Sequence, residues 1–581
     1  MALRLITGRS GQGKTEYLVQ EVIRLSMENP QQKYYVIVPE QFSLEMQRKM
    51  VKKHPRHGFF NIDVLSFHRL AYRIFDECGY QPGEILEDLG VSMMLRKILS
   101  EGENNFLYFK KSMKKAGFID ELKSMLMEFI GYGVTWEQVE EVSEKLGENK
   151  ALSNKCKELG RIYEHFDKAI EGRFMVTEQI LDVAREFAKE APMLTNAVFY
   201  FDGFAGFTPV QLAFLKELLK VAGQINVTIT IPEFVPGQRG MPEDLFTSSK
   251  KTGDALLMLC QENMQEVEEV VKLDTPVSPR FINNPELAFL EKNLFQNSRK
   301  IYSKKIERIH MTVCHNPDGE ADYVMHKIEQ LVRQKGYRYR DFAVLSGDVA
   351  DYASAFKRKA AILNIPVFED TKKKVSYHSG VEAVRSLFHL AQMEYSYESV
   401  FRYLKSGMSN LIDEDADYLE NYVLYAGVRG YSMWKKPFYR RLKNKDEAAI
   451  KALLLLQEKF MEETENFCSV MRDKEASVRD KIEVLYHTMV KLSFEEKLKN
   501  QAQKAEENSD FVKAAEYRQL YDLLLSLMDK IVMIFGEEKM AVKELAEIVD
   551  AGLDALGLGV VPLTMDQVVL GDLKRTRLHE V

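Results

Sequence analysis

Leu5-Ile6-Thr7-Gly8-Arg9-Ser10-Gly11-Gln12-Gly13-Lys14-Thr15 reads as a strand end, a glycine-rich loop and a helix start. Gly8 and Gly13 enclose four residues and Lys14-Thr15 follows at once, completing the pattern G-x-x-x-x-G-K-[ST]. Such a loop turns consecutive backbone N–H groups inward on a phosphate, and the helix N-terminus adds partial positive charge. The stretch Gly8, Arg9, Ser10, Gly11, Gln12, Gly13, Lys14 and Thr15 is therefore the expected nucleotide cradle. Lys14 is expected to reach the terminal phosphates and the Thr15 hydroxyl to hold Mg²⁺. Leu18, Val19, Val22, Ile23 and Leu25 continue at helical spacing, which a chance glycine turn does not supply.

Moving outward, 581 residues exceed one domain and suggest three or four. The apolar and charged fractions, 45% and 29%, are those of an ordinary globular protein. No apolar run is long enough to span a bilayer, and the N-terminus enters a strand without a signal peptide; no membrane partner is expected. Cys78, Cys156, Cys260, Cys314 and Cys468 show no C-x-x-C spacing, which argues for reduced thiols in a cytoplasmic setting. With a net charge of −7, nucleic-acid binding must rely on local patches.

Strand patterns at Tyr34 to Val38 and Ile62 to Leu65 alternate with helices from Glu40 and from Phe67, the latter behind an N-cap at Ser66. The basic run Arg48, Lys49, Lys52, Lys53, His54, Arg56 and His57 reads as a solvated face or a phosphate contact. Residues 84–189 change to long amphipathic helices. A strand at Ala197 to Asp202, a helix from Thr208-Pro209 and a strand at Gln224 to Ile231 restore the α/β rhythm, with a loop over Pro232 to Pro242. A second α/β segment is expected as strand Arg308 to Cys314, helix Glu320 to Gln334, strand Asp341 to Leu345, helix Val349 to Leu363 and strand Ile365 to Phe368. Helices fill 380–550, and strand character returns at Val560-Val561-Pro562 and Gln567 to Leu570. Histidines such as His310, His378 and His579 show no ligand spacing.

This layout resembles superfamily I helicases of the UvrD/RecB type. Ile37 to Met46, Phe67-His68-Arg69-Leu70-Ala71-Tyr72-Arg73-Ile74 and Asp202-Gly203-Phe204-Ala205-Gly206-Phe207-Thr208-Pro209-Val210-Gln211 fall where that family has its motifs, in order. More narrowly, Gly8 to Thr15, Val38-Pro39-Glu40-Gln41, Leu65-Ser66-Phe67 with Arg69-Leu70-Ala71, and Asp202 to Pro209 resemble the B-subunit family of bacterial AddAB helicase–nucleases. The resemblance implies an α/β fold of two RecA-like parallel-sheet P-loop cores, each interrupted by a mainly helical insertion. Its domains are a first core over 1–75 and 195–285, an insertion over 76–194, a second core over 300–390 and 555–581, and an insertion over 391–554.

The resemblance also implies ATP and Mg²⁺ as cofactors, with Thr15 and Asp202 at the metal. Departures bear on mechanism. Helicase motors carry a glutamate after the metal-binding aspartate to position the attacking water; here Gly203 follows Asp202. Gly347 stands where motors place an arginine, and the chain leaves no room for an adenine-reading glutamine before the loop. The expectation is a nucleotide-binding, motor-deficient part of an ATP-dependent helicase/deoxyribonuclease subunit, with no catalytic residue of its own. Its implied partners are an A-type motor/nuclease subunit and single- and double-stranded DNA ends, and its implied task is reading the Chi signal. DNA contacts are expected from Glu40, Gln41, Ser43, Phe67, Arg69, Tyr72, Phe204 and Phe207. The family's nuclease domain and its iron–sulfur cluster are expected beyond Val581. The rival readings are a scaffold with a relic loop, a self-sufficient helicase, and an unrelated P-loop kinase-type enzyme.

Overall fold

The computed structural model describes residues 2–101, 106–113, 115, 117–146, 150–238, 244–294, 300–369, 373–375, 378–438, 447–508, 510–558 and 566–573. Contacts divide the chain into two units, residues 1–87 with 121–311, and residues 88–120 with 312–581.

In the first unit, strand β1 (Ala2–Gly8) feeds the glycine loop and helix α1 (Lys14–Glu28). Strand β2 (Tyr34–Ile37), helix α2 (Ser43–Lys53), strand β3 (Ile62–Leu65) and helix α3 (Phe67–Cys78) follow. The sheet order is β3, β2, Val198–Phe201, Gln224–Thr230, β1, Glu266–Val267, with every pairing parallel; Val271–Lys272 also pairs with β1. Parallel strands are covered on both faces, and successive side chains on a strand alternate between them. Tyr34 and Val36 accordingly pack against Val19, Val22 and Met50, while Tyr35 and Ile37 pack with Leu70, Ile74 and Phe199 on the other face. Full burial of an apolar side chain of this size stabilises by roughly 1.5–3 kcal/mol, which fixes the register.

That register places the ends carrying chemistry side by side. Gly8 lies opposite Thr230, Phe201 opposite both Ile37 and Val227, and Leu65 opposite Ile37. The glycine loop, Asp202, Pro39 and Ser66 thus all leave the same edge of one sheet.

In the second unit, Val568–Asp572 is the middle strand of a parallel sheet between Ala343–Ser346 and Val367–Glu369. Helices Pro317–Lys335 and Val349–Ile362 share its core, and helices from Ser379 to Ala555 make up most of the remainder. Helix Asp88–Glu101 belongs to this unit, where Lys97 pairs with Glu538 at 2.6 Å and Arg96 with Glu547 at 3.2 Å.

One expected strand is corrected. Residues 301–314 contain no strand. The Glu286 carboxylate accepts hydrogen bonds from the backbone N–H groups of Glu307, at 2.8 Å, and Arg308, at 2.9 Å, where a ladder would need them. The expected strand at Val560-Val561-Pro562 and the chain's last residues, Arg577 to Val581, lie outside the described residues.

Candidate functional site: a phosphate loop beneath a strap

Helix α1 begins with no side-chain cap: Gly13, at φ 88°, is its N-cap residue. A capless helix start leaves backbone N–H groups free to meet an anion, with the positive end of the dipole behind them. Gly11, at φ 78°, adopts a left-handed backbone that side chains disfavour, and a Cβ there would come within 2.6 Å of Ser278 Oγ.

Lys14 donates from Nζ to the carbonyls of Gly8, at 2.8 Å, and Arg9, at 3.0 Å. Burial is the main reason its pKa is pushed down to about 8; Asp202 opposes that shift and Arg280 adds to it. Thr15 Oγ1 donates to Asp202 Oδ2 at 2.8 Å, and Thr228 Oγ1 donates to Asp202 Oδ1 at 2.6 Å. Thr228 sits on the strand between β1 and the Asp202 strand, so the carboxylate is held from one side and offered to the loop on the other. One hydroxyl and one carboxylate are hard oxygen donors of the kind that suits Mg²⁺.

Residues 271–293 form a strap across the loop. Gln12 Nε2 donates to Thr275 O at 3.2 Å, while Thr275 Oγ1 and N donate to Gln12 Oε1 at 2.6 and 3.1 Å. The Leu273 N–H donates to Thr7 O at 2.8 Å, and the Arg280 N–H to Gly11 O at 3.4 Å. Ser278 Oγ is buried there without a hydrogen-bond partner among the described residues. A buried hydroxyl facing a glycine cradle fits a site built for a bound polyphosphate. Arg9 points elsewhere: its Nε donates to Glu291 Oε1 at 3.3 Å and a terminal nitrogen to Lys292 O at 3.1 Å. Ser10 is exposed.

Gly203 follows Asp202 at φ 82°, again in the left-handed region. The turn that motors fill with a glutamate has a backbone here that selects glycine.

The expected DNA contacts fall into three groups. Glu40 and Gln41 stand exposed on the short turn Glu40–Phe42, while Ser43 is buried with Oγ donating to Glu40 O at 3.0 Å. Phe67 is buried at 6% exposure, its ring 5.4 Å from Phe204, 6.2 Å from Phe207 and 5.6 Å from Phe201. Phe204 and Phe207 are half-buried, 5.2 Å apart. Exposed Arg69 and half-buried Tyr72 instead line a cavity of about 340 Å³ with Gln47, Asp63, Arg73 and Asp76, along the open edge of β3. Sequence reasoning missed Thr228, Thr275, Ser278, Arg280 and Glu291. Their only shared signal is spatial: Thr228 sits on a separate strand, and the other four sit on a strap over 260 residues from the loop it covers.

A glycine loop, an aspartate at the end of the strand next but one and a parallel sheet covered by helices define a P-loop nucleotide-site fold. Residues 5–291, just under half of the chain, match the family model described as "ADDB, N-terminal". Over its whole length the chain is 32% identical to the B-type subunit of the ATP-dependent helicase/deoxyribonuclease of Lachnoclostridium phytofermentans and 32% identical to that of a Thermoanaerobacter species. It is 30% identical to the protein of the same name from Clostridium botulinum. The chain spans about half the length of these curated relatives, 51% in each case. Among the described residues, no helix is long and apolar enough to cross a membrane.

Proposed function

We propose that this chain is the nucleotide-binding, motor-deficient, helicase-like part of an ATP-dependent helicase/deoxyribonuclease subunit that processes double-strand DNA ends for recombinational repair in the cytoplasm. The observation carrying this reading is the Thr15–Asp202 hydrogen bond beneath an intact glycine loop, with Gly203 in a left-handed turn beside it. ATP–Mg²⁺ would be held by the N–H groups of residues 8–15, the Lys14 ammonium, and Thr15 with Asp202 at the metal. Bound Mg²⁺ would supply charge neutralisation for the phosphates. The chain offers the cradle without a carboxylate at position 203 to orient water, so binding is expected with little or no turnover.

The whole protein is proposed to pair with an A-type motor/nuclease subunit, to hold single-stranded DNA and to read Chi. Gln41 and Arg69 offer donors and acceptors for base edges, and the rims of Tyr72, Phe204 and Phe207 offer stacking faces. The nuclease activity and iron–sulfur cluster belong, on this reading, to a C-terminal domain outside these residues. The domain boundaries set out from sequence, 1–75 with 195–285, 76–194, 300–390 with 555–581, and 391–554, stand as part of the same proposal. Arg69→Ala and Gln41→Ala, each in complex with the motor subunit, test the DNA assignment. Loss of Chi response with general single-strand affinity preserved is expected; a wild-type Chi response in both variants would refute it.

The relic-loop reading has one observation in its favour, because Lys14 is already satisfied by two carbonyls. A nucleotide titration with and without Mg²⁺ separates the two.

A further inference from the structure

Helix Pro285–Asn293 touches the phosphate loop near its C-terminal end and the segment leading out of the first unit at its N-terminal end. Glu291 accepts from Arg9 Nε at 3.3 Å, and Lys292 O accepts from the same guanidinium at 3.1 Å. The Arg9 guanidinium also lies 5.9 Å from the Phe246 ring centroid, which keeps the charge over an aromatic face. Two residues back, the Phe289 ring packs 5.3 Å from Tyr302. At the first turn, the buried Glu286 carboxylate holds the amides of Glu307 and Arg308, and an Arg308 terminal nitrogen donates to Asn283 O at 2.7 Å.

The loop side of this chain of contacts depends on the occupant of the site. Lys14 Nζ binds the carbonyl of Arg9 itself. A polyphosphate in the cradle attracts that ammonium far more strongly than a peptide carbonyl does, because charge-assisted hydrogen bonds are roughly twice as strong as neutral ones. Drawing Lys14 away releases the carbonyls of Gly8 and Arg9 and lets their peptide reorient. That reorientation moves the backbone that carries the Arg9 side chain, whose guanidinium holds Glu291 and Lys292. A helix is stiff, so a change at Glu291 is felt at Glu286.

We propose that Arg9 and Glu291 form a nucleotide-sensitive latch, which clamps helix Pro285–Asn293 while the loop is empty and releases it, together with residues 307–308, when a nucleoside triphosphate binds. This rests on the nucleotide-binding reading above. Arg9 and Glu291 act as positioning residues: they transmit occupancy and take no part in chemistry. The arrangement explains why a subunit without hydrolytic groups would keep a complete phosphate loop, since occupancy alone can then alter the chain that leaves the first unit.

Hydrogen–deuterium exchange of the purified chain, with Mg²⁺ and a non-hydrolysable ATP analogue, tests this directly. In the wild type, peptides over 8–15 should become protected while those over 303–311 exchange faster, by about threefold or more. In Glu291→Ala the 8–15 protection should persist, and 303–311 should exchange fast with or without the analogue. Protection at 8–15 with unchanged or slower exchange at 303–311 in the wild type would overturn the latch alone. Retention of the wild-type response at 303–311 in Glu291→Ala would do the same. No protection at 8–15 would overturn both the latch and nucleotide binding.

Discussion

Lys14 carries the most revealing titration. Its pKa is pushed down to about 8 chiefly by burial, which disfavours the ammonium form. A bound polyphosphate reverses that preference, and binding therefore takes up a proton once the pH rises past about 8. Affinity for ATP–Mg²⁺ should be flat below that point and fall above it, by up to about tenfold per pH unit. Titrations between pH 7 and 9.5 would read this, and a Lys14→Ala variant should bind more weakly and lose the slope. For stability the sign is opposite to that of a paired lysine. The unfolded chain holds the proton more tightly than the native state, so this group's penalty is relieved as pH rises from about 8 toward the free-lysine value.

Gly203 gives a second test at the same scale. A side chain in its left-handed turn costs roughly 1–2 kcal/mol. Gly203→Glu should lower stability by about that amount in denaturant unfolding and should not create DNA-stimulated turnover. A turnover of even about 1 s⁻¹, near the low end for enzymes, would show that one carboxylate was all the motor lacked.

Helix α3 separates packing from contact. Phe67 is enclosed by Phe201, Phe204, Phe207 and Phe214, whereas Arg69, two residues on, is exposed at the cavity beside β3. Phe67→Ala should destabilise the chain by about 3–5 kcal/mol. Arg69→Ala should stay within about 0.5 kcal/mol of wild type and show its effect in DNA binding only. Equal loss of stability in both would mean that Arg69 is a core support.

The same helix shows what was legible in the sequence. Its cap at Ser66, which accepts from the Arg69 N–H at 3.3 Å, and the Thr208-Pro209 start of a later helix both follow from local chemistry that a single sequence carries. So does β3, whose bounds match the strand pattern from Ile62 to Leu65. At the start of the expected strand over Arg308 to Cys314, the amides of Glu307 and Arg308 are claimed by Glu286, a partner about twenty residues away that alternation of apolar residues cannot reveal. Thr275, Ser278 and Arg280 escaped for the same reason: a strap is defined by what it covers. Phe67 reads alike as stacking platform or core until its neighbours are known.

For the molecule as a whole, two α/β sheets and long helical blocks give a frame in which the phosphate loop opens one core sheet and Val568–Asp572 completes the other. Kinetics that need a catalytic carboxylate and binding that needs only a cradle are separable properties of such a frame, and the central claim is that this chain keeps the second without the first. Incubation with Mg²⁺ and doubly labelled ATP in the presence of single-stranded DNA, followed by rapid filtration and chromatography of the retained nucleotide, measures both at once. Expected is near-stoichiometric retention of intact ATP. Recovery of ADP at many turnovers, or no retained nucleotide at millimolar ATP, would contradict it.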